Sequence, residues 1–184
     1  CIFYPMSHLT SQTKDNSMEI IKLAKKFKVD AILGLWHNIN VAEAKNLRIP
    51  IFLRTHKKVY NDFPMLTGHY KEFGAYAADF FIGQNFTNYA FIGMKDIIWS
   101  DSRYEGYSEQ IAATKKVPTH KYYVEDFKNE IESISEWLHS LPKPVALLAC
   151  NDFMARQVTE VCQLGGIRIP EDISLLGVDN DEFM

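Results

Sequence analysis

Hydrophobic and polar positions along the chain follow two alternating periods, one typical of helices and the other of buried strands. Residues 17–28 repeat apolar side chains at helical spacing behind an N-cap candidate, Ser17. Residues 29–34 then form a short apolar run that ends at a glycine, which is typical of a buried strand. The first segment therefore predicts an amphipathic helix with an inner face of Met18, Ile21, Ala24 and Phe27.

The same alternation continues to the end of the chain. It predicts further helices at 41–47, 69–83, 102–115, 126–140 and 152–164, and further strands at 49–53, 89–93, 121–124, 145–150 and 173–178. The inner face of the third helix is predicted to hold Phe73, Ala77 and either Phe80 or Phe81. Apolar strands that alternate with helices indicate parallel sheets covered on both faces, and right-handed crossovers make the topology doubly wound. The predicted fold class is therefore α/β, with two doubly wound parallel-sheet lobes.

The two predicted lobes differ in size. We divide the chain into a partial N-terminal lobe at residues 1–86, a C-terminal lobe at 87–180, and the start of a crossover back to the first lobe at 181–184. The first lobe offers two clear strands and the second offers four, so we expect the first lobe to be incomplete and sequence to be missing at both ends.

Composition narrows the classes of partner. The 184 residues are 47% hydrophobic and carry a net charge of −3, so the chain has no overall attraction for nucleic acid or an anionic membrane. The sequence shows no signal peptide and no apolar run that could span a bilayer. We therefore expect a cytoplasmic protein with no membrane partner, in which Cys150 and Cys162 are small buried thiols.

Polar and aromatic side chains follow the predicted strands, where ligands bind in doubly wound folds. Planar polar groups suit sugar hydroxyls, and an indole can stack on the apolar face of a sugar ring. Each residue also has a simpler interpretation: a helix N-cap, an exposed first-turn arginine, a solvated turn or a packing tryptophan. The candidate ligand-binding residues are Arg103, Asn151, Asp179, His69, Tyr70 and Trp99.

Three segments carry a family resemblance. Residues 101–107 (DSRYEGY), 151–155 (NDFMA) and 169–180 (IPEDISLLGVDN) together resemble the effector domains of LacI-type transcription regulators. The closest likeness is to the xylose-operon regulators of the AraC family. The resemblance implies a periplasmic-binding-protein-like fold, a sugar bound in the cleft between two lobes, a homodimer, and DNA bound by a helix-turn-helix module outside these residues.

The resemblance also assigns roles within the predicted site. The sugar-binding arginine, asparagine and carboxylate of the family match Arg103, Asn151 and Asp179. His69 and Tyr70 stand where the family has Asp-Asn, and we expect them to reach the ligand from the first lobe. An imidazole does not grip hydroxyls as a carboxylate does. This departure indicates an effector other than xylose, or a weakened site.

No catalytic motif supports an enzyme. The sequence lacks a GxSxG elbow, HExxH, CxxC, a P-loop and GxGxxG after a first strand. We expect no catalytic residue, metal or cofactor. Two alternatives to a sugar-sensing regulator remain open: a solute-binding protein of a sugar transporter, and a degenerate domain that dimerises without binding a ligand.

Overall fold

A computed structural model describes residues 17–35, 39–57, 59–115 and 117–181. Most of the predicted crossover at 181–184 and the start of the first lobe lie outside the described residues. The elements in chain order are α1 (Ser17–Phe27), β1 (Ile32–Leu35), α2 (Val41–Lys45), β2 (Ile51–Arg54), α3 (Tyr70–Gly83), β3 (Tyr89–Met94), α4 (Ile98–Lys115), β4 (Thr119–Val124), α5 (Phe127–Ser140), β5 (Val145–Ala149), α6 (Asp152–Gly165) and β6 (Ile173–Leu176).

The chain forms two compact units, of which the first ends at Thr67 and the second begins at Gly68. The first unit holds a two-stranded parallel sheet, in which Ile32 pairs with Ile51, and the helices α1 and α2. Alternate residues of β2 point inward, as expected for a strand with one covered face. The core of this unit consists of Ile21, Ile39, Ala44, Ile51, Leu53 and Tyr60.

The second unit holds a four-stranded sheet in the order β4-β3-β5-β6, with every neighbouring pair parallel. All five residues of β5 are buried, as expected for a central strand covered on both faces. Strand β4 lies on one side of β3, and β5 and then β6 lie on the other side, so the chain reverses its direction along the sheet after β4. Right-handed crossovers in opposite directions lie on opposite faces, and α3 accordingly packs against α4 while α5 packs against α6. The predicted α/β class and its doubly wound parallel topology are confirmed.

Three local predictions need correction. The fourth helix begins at Ile98 rather than at residue 102, so Trp99 lies in its first turn and not in a loop. On α3 the predicted inner residues Ala77 and Phe81 are buried, but Phe73 is 43% exposed, because the helix turns its small residues toward α4. On α1 only Ile21 and Ala24 of the predicted inner face are buried; Met18 and Phe27 are exposed.

The division between the compact units also differs from the predicted division after residue 86. Helix α3 belongs to the second unit because it packs along α4. His69 and Tyr70, expected to reach the ligand from the first lobe, therefore lie in the second unit. Among the helices of the described ranges, none is both long enough and apolar enough to cross a membrane.

Candidate ligand-binding site

The candidate site lies at the carboxyl edge of the second sheet. Strand β3 pairs with β4 on one side and with β5 on the other, so the chain reverses its direction along the sheet between β3 and β5. Parallel sheets form their ligand crevice at such a switch point, outside the carboxyl ends of the strands. Arg103, Asn151 and Asp179 follow β3, β5 and β6 respectively, and all three belong to this edge.

Arg103 forms the centre of the site. Its side chain on α4 is 6% exposed, and its Nη1 donates to the carbonyl oxygen of Cys150 at the end of β5. Its Nη2 donates to Oδ1 of Asp179 at 2.9 Å, which forms an ion pair. Within the described residues Nε has no hydrogen-bond acceptor, although it is buried.

Two aromatic rings flank the guanidinium of Arg103. The ring centroid of Trp99, one turn earlier on α4, lies 5.2 Å from Cζ of Arg103. The ring centroid of Tyr70, the first residue of α3, lies 5.6 Å from the same atom. Both distances fall within the range of cation–π attraction. Both rings therefore help to hold the guanidinium in place.

A close crossing of α3 and α4 places Tyr70 beside Arg103. A Cβ atom at Gly74 would overlap the backbone carbonyl oxygen of Arg103, and one at Gly106 would overlap that of Lys71. The two glycines therefore let the helix backbones approach more closely than any larger residue allows. Lys71 adds ion pairs to Glu105 and Glu109 across the same crossing, at 3.0 and 2.9 Å.

The backbone that carries Asp179 is held from both sides by Asp152. The backbone N–H of Asp152 donates to the carbonyl of Val178, and Oδ2 of Asp152 accepts from the N–H of Asp181 at 2.8 Å. Asp179 between them has φ of +116°, a conformation that L-residues rarely adopt and that such flanking contacts must maintain. A Cβ atom at Gly177 would overlap Oδ1 of Asp152, so a larger residue there would require that carboxylate to move. The position of the Asp179 carboxylate is thus preset.

Asn151 serves as the N-cap of α6. Its Oδ1 accepts from the backbone N–H of Met154 at 2.9 Å, which confirms the capping interpretation. In the part of the chain that the structure describes, its Nδ2 donates no hydrogen bond, and the side chain is partly exposed. The cap therefore fixes the side chain and leaves an amide donor at the edge of the sheet.

His69 stands apart from this group. Its side chain is 77% exposed, and its Nδ1 lies 3.2 Å from Oε1 of Glu72 on the first turn of α3. It occupies the N-cap position of α3 but makes no side-chain cap bond. The structure therefore brings Tyr70 into contact with Arg103 and leaves its neighbour His69 outside that cluster.

Sequence reasoning missed two supports of the site, Ser100 and Asp152. Ser100 is fully buried, and its Oγ accepts from the backbone N–H of Met94 at 3.0 Å, which ties the start of α4 to the end of β3. Asp152 follows the predicted strand at 145–150 but is not among the candidate ligand-binding residues. It comes two positions after that strand, and that position is the signal that could have identified it. Ser100 lies six positions after the end of β3, so no such signal marks it. Burial raises the pKa of the Cys150 thiol beneath them to about 11.

The arrangement is suited to binding and not to proton transfer or nucleophilic attack. Its charged groups are a paired guanidinium and carboxylate, and the nearby thiol stays protonated at neutral pH. Over the described ranges, histidine, cysteine and acidic side chains form no group that could hold a metal ion. The free hydrogen-bonding atoms are fixed donors and acceptors, which is what a polar neutral ligand requires.

One known protein resembles this chain over most of its length, and another over about half of it. Catabolite control protein A of Priestia megaterium is 24% identical over 179 residues, which cover 93% of this chain and 54% of that protein. The xylose operon regulatory protein of Haemophilus influenzae is 26% identical over 91 residues, which cover 47% of this chain and 23% of that protein. The chain thus spans about half the length of the first of these relatives.

The fold is also similar to that of solved structures. A periplasmic binding protein/LacI transcriptional regulator from Alkaliphilus metalliredigens, complexed with D-xylulofuranose, superposes with a TM-score of 0.69 at 16% identity. The match covers 95% of this chain and 65% of that one. These relatives are regulators and a sugar-binding protein, which confirms the expectation that the chain is not an enzyme.

The narrower resemblance to AraC-family regulators is not supported. The match to a xylose operon regulatory protein covers less than half of this chain, whereas the match to catabolite control protein A covers nearly all of it. The broader resemblance is confirmed by a family profile, described as a periplasmic binding protein-like domain, that matches residues 78–184. Because this match takes in more than half of the 184 residues, and includes Arg103, Asn151 and Asp179, the chain belongs to the periplasmic binding protein-like domain family.

Proposed function

We propose that the chain is the effector-binding domain of a transcription regulator, and that it binds a small sugar at the carboxyl edge of its second sheet. One observation carries the proposal. A buried guanidinium, that of Arg103, is bonded to the half-exposed carboxylate of Asp179 and flanked by the rings of Tyr70 and Trp99. Such a group presents preset donors and acceptors to a ligand at low entropic cost.

The hydrogen-bond donors and acceptors that remain on Arg103, Asp179 and Asn151 can bind two neighbouring hydroxyl groups of a sugar. Arginine has five N–H donors, and the bonds to Cys150 and Asp179 use two of those on Arg103. A sugar hydroxyl can donate to Oδ2 of Asp179, and its neighbour can accept from Arg103 or from Nδ2 of Asn151. An indole such as Trp99 also offers an apolar face on which a sugar ring can stack. The roles of these residues as ligand contacts are part of the proposal.

The relatives support a regulatory role and a sugar as effector. The matched regulators are named for catabolite control and for the xylose operon, and the similar solved structure holds a pentulose. Pentoses are therefore the first candidates. A sugar regulates only if it binds one arrangement of the protein better than another, so the bound form must favour or disfavour DNA binding. We place that DNA-binding module outside these residues, and propose a cytoplasmic homodimer.

The two alternative functions make different demands on the site. A degenerate domain has no need to keep a buried arginine in contact with Asp179 and two aromatic rings, so the intact cluster favours a working site. A transporter's solute-binding protein would share the site. The match to a transcription regulator over 93% of this chain favours the regulator.

A thermal-shift screen of the chain against pentoses and hexoses tests the proposal. A ligand at about 100 times its Kd stabilises the native state by about 2.7 kcal/mol, which raises Tm by a few degrees. We expect a rise for one sugar or a small group of related sugars. A screen in which no sugar raises Tm would overturn the proposal and favour the degenerate domain.

A further inference from the structure

The charges around Arg103 restrict the ligands that the second unit can accept. The positive charge of Arg103 is already matched by Asp179. Lys95, which follows β3, is paired with Glu125, which follows β4, at 2.9 Å. Among the described residues that follow β3, the two cations Arg103 and Lys95 therefore each have a carboxylate partner.

Further carboxylates at the edge are bonded to neutral donors. Asp152 accepts from the backbone N–H of Asp181. Asp101 lies in the first turn of α4, and burial of the Tyr123 hydroxyl, followed by the nearby charge of Asp101, raises the pKa of that hydroxyl. These acidic groups leave the edge with an excess of negative charge.

At two helix N-termini of the edge, those of α6 and α3, little is available to offset this excess. At the start of α6 the N–H groups of Asp152 and Met154 are taken by the carbonyl of Val178 and the side chain of Asn151. At the start of α3, where His69 makes no cap bond, the first turn carries Glu72. Phosphate sites in proteins typically use an uncommitted arginine fork or free N-terminal N–H groups.

We propose that this edge accepts uncharged polyols and rejects sugars that carry a phosphate or carboxylate group. The inference rests on the proposed function, because it names the class of ligand for the same site. An anionic sugar must either displace Asp179 from Arg103 or remain beside carboxylates without a counter-ion. Repulsion of this kind is strong where water is partly excluded.

Calorimetric titration with matched sugar pairs tests this inference. The probes are ribose with ribose 5-phosphate, and glucose with glucose 6-phosphate, each at low and at high salt. For each uncharged sugar that binds, we expect its phosphate to bind at least about tenfold more weakly, because one like-charge contact at intermediate dielectric suffices for that factor. The ratio of the two Kd values within a pair should become smaller at high salt, because salt screens the repulsion between the phosphate and the carboxylates.

A charge-neutralising variant and its control test whether the carboxylates at the sheet edge cause the weaker binding of sugar phosphates. Asp101→Asn should reduce the ratio of the two Kd values within a pair several-fold. Glu136→Gln makes an equal charge change at an exposed position of α5 and should leave that ratio unchanged. If the phosphate of a pair binds as tightly as the uncharged sugar or more tightly, this inference fails and the proposed function stands. If neither member of any pair binds and the thermal-shift screen finds no other sugar that binds, the proposed function fails, and this inference fails with it.

Discussion

Nη2 of Arg103 and Oδ1 of Asp179 lie 2.9 Å apart, although 76 positions separate the two residues in the sequence. The order of the strands brings them together. Arg103 follows β3 and Asp179 follows β6, and both strands pair with β5, whose following residue Cys150 accepts from Nη1 of the same guanidinium. Since one side chain connects the ends of neighbouring strands, the site depends on the assembled sheet.

The crossing of α3 and α4 should be intolerant of any side chain at its two glycines. Gly74→Ala and Gly106→Ala each place a methyl group against a backbone carbonyl, so we expect each to lower the free energy of unfolding by about 1–3 kcal/mol or more. Urea unfolding measures the change. Gly83→Ala is the matched control: its Cβ meets nothing within 4 Å, and the variant should be neutral or slightly more stable. Equal stability of all three variants would contradict the close crossing.

Two substitutions of Asn151 should distinguish its role as the N-cap of α6 from its proposed role as a ligand contact. Asn151→Ala removes the N-cap of α6 and should cost about 1 kcal/mol of stability. Asn151→Asp keeps the capping oxygen and loses the amide donor, so we expect near-normal stability with weaker sugar binding. The control is Asp126→Ala, which removes the equivalent cap of α5 and should lower stability without affecting sugar binding. Unchanged sugar binding by Asn151→Asp would remove the amide from the site.

Asp172 should make the stability of the chain fall at low pH. Hydrogen bonds from the Arg168 side chain, then from its backbone N–H, lower the pKa of Asp172 from 3.8 to about 2. Because the pKa is lower in the folded state, this contribution is complete above about pH 4 and is lost as the pH falls toward 2. Asp172→Asn and Arg168→Ala should both weaken the dependence of the urea midpoint on pH in this window. An unchanged dependence in both variants would show that the pair contributes nothing there.

Strands and their polar ends could be predicted because both signals are local. The apolar runs at 89–93 and 145–150 correspond to β3 and β5, and the rule that ligands bind beyond strand ends singles out Arg103 and Asp179. The start of α4 was placed too late, because polar residues at 100–102 imitate a helix cap, whereas Ser100 is buried inside the helix.

The contacts between helices could not be predicted in the same way. Helical spacing gave α3 an inner face with Phe73, but the face that packs on α4 is set by Gly74 and the small residues aligned with it. Which helix a glycine meets depends on the sheet order, which a local pattern does not contain. For the same reason the sequence placed Tyr70 in the first lobe, although its ring lies against Arg103 in the second unit.

The measurement that tests the central claim most directly is the sugar-induced rise in Tm of Arg103→Ala beside the wild-type chain. Arg156→Ala, which removes an exposed arginine from α6, is the matched control, and Arg103→Lys keeps the charge without the planar fork. Circular dichroism establishes that each variant is folded.

We predict that the sugar raises the Tm of the wild-type chain and of Arg156→Ala by the same few degrees. Arg103→Ala should show no rise, and Arg103→Lys should need at least about tenfold more sugar because it loses the bidentate geometry. A folded Arg103→Ala chain that the sugar stabilises as much as the wild type would contradict the assignment of Arg103 as the centre of the site.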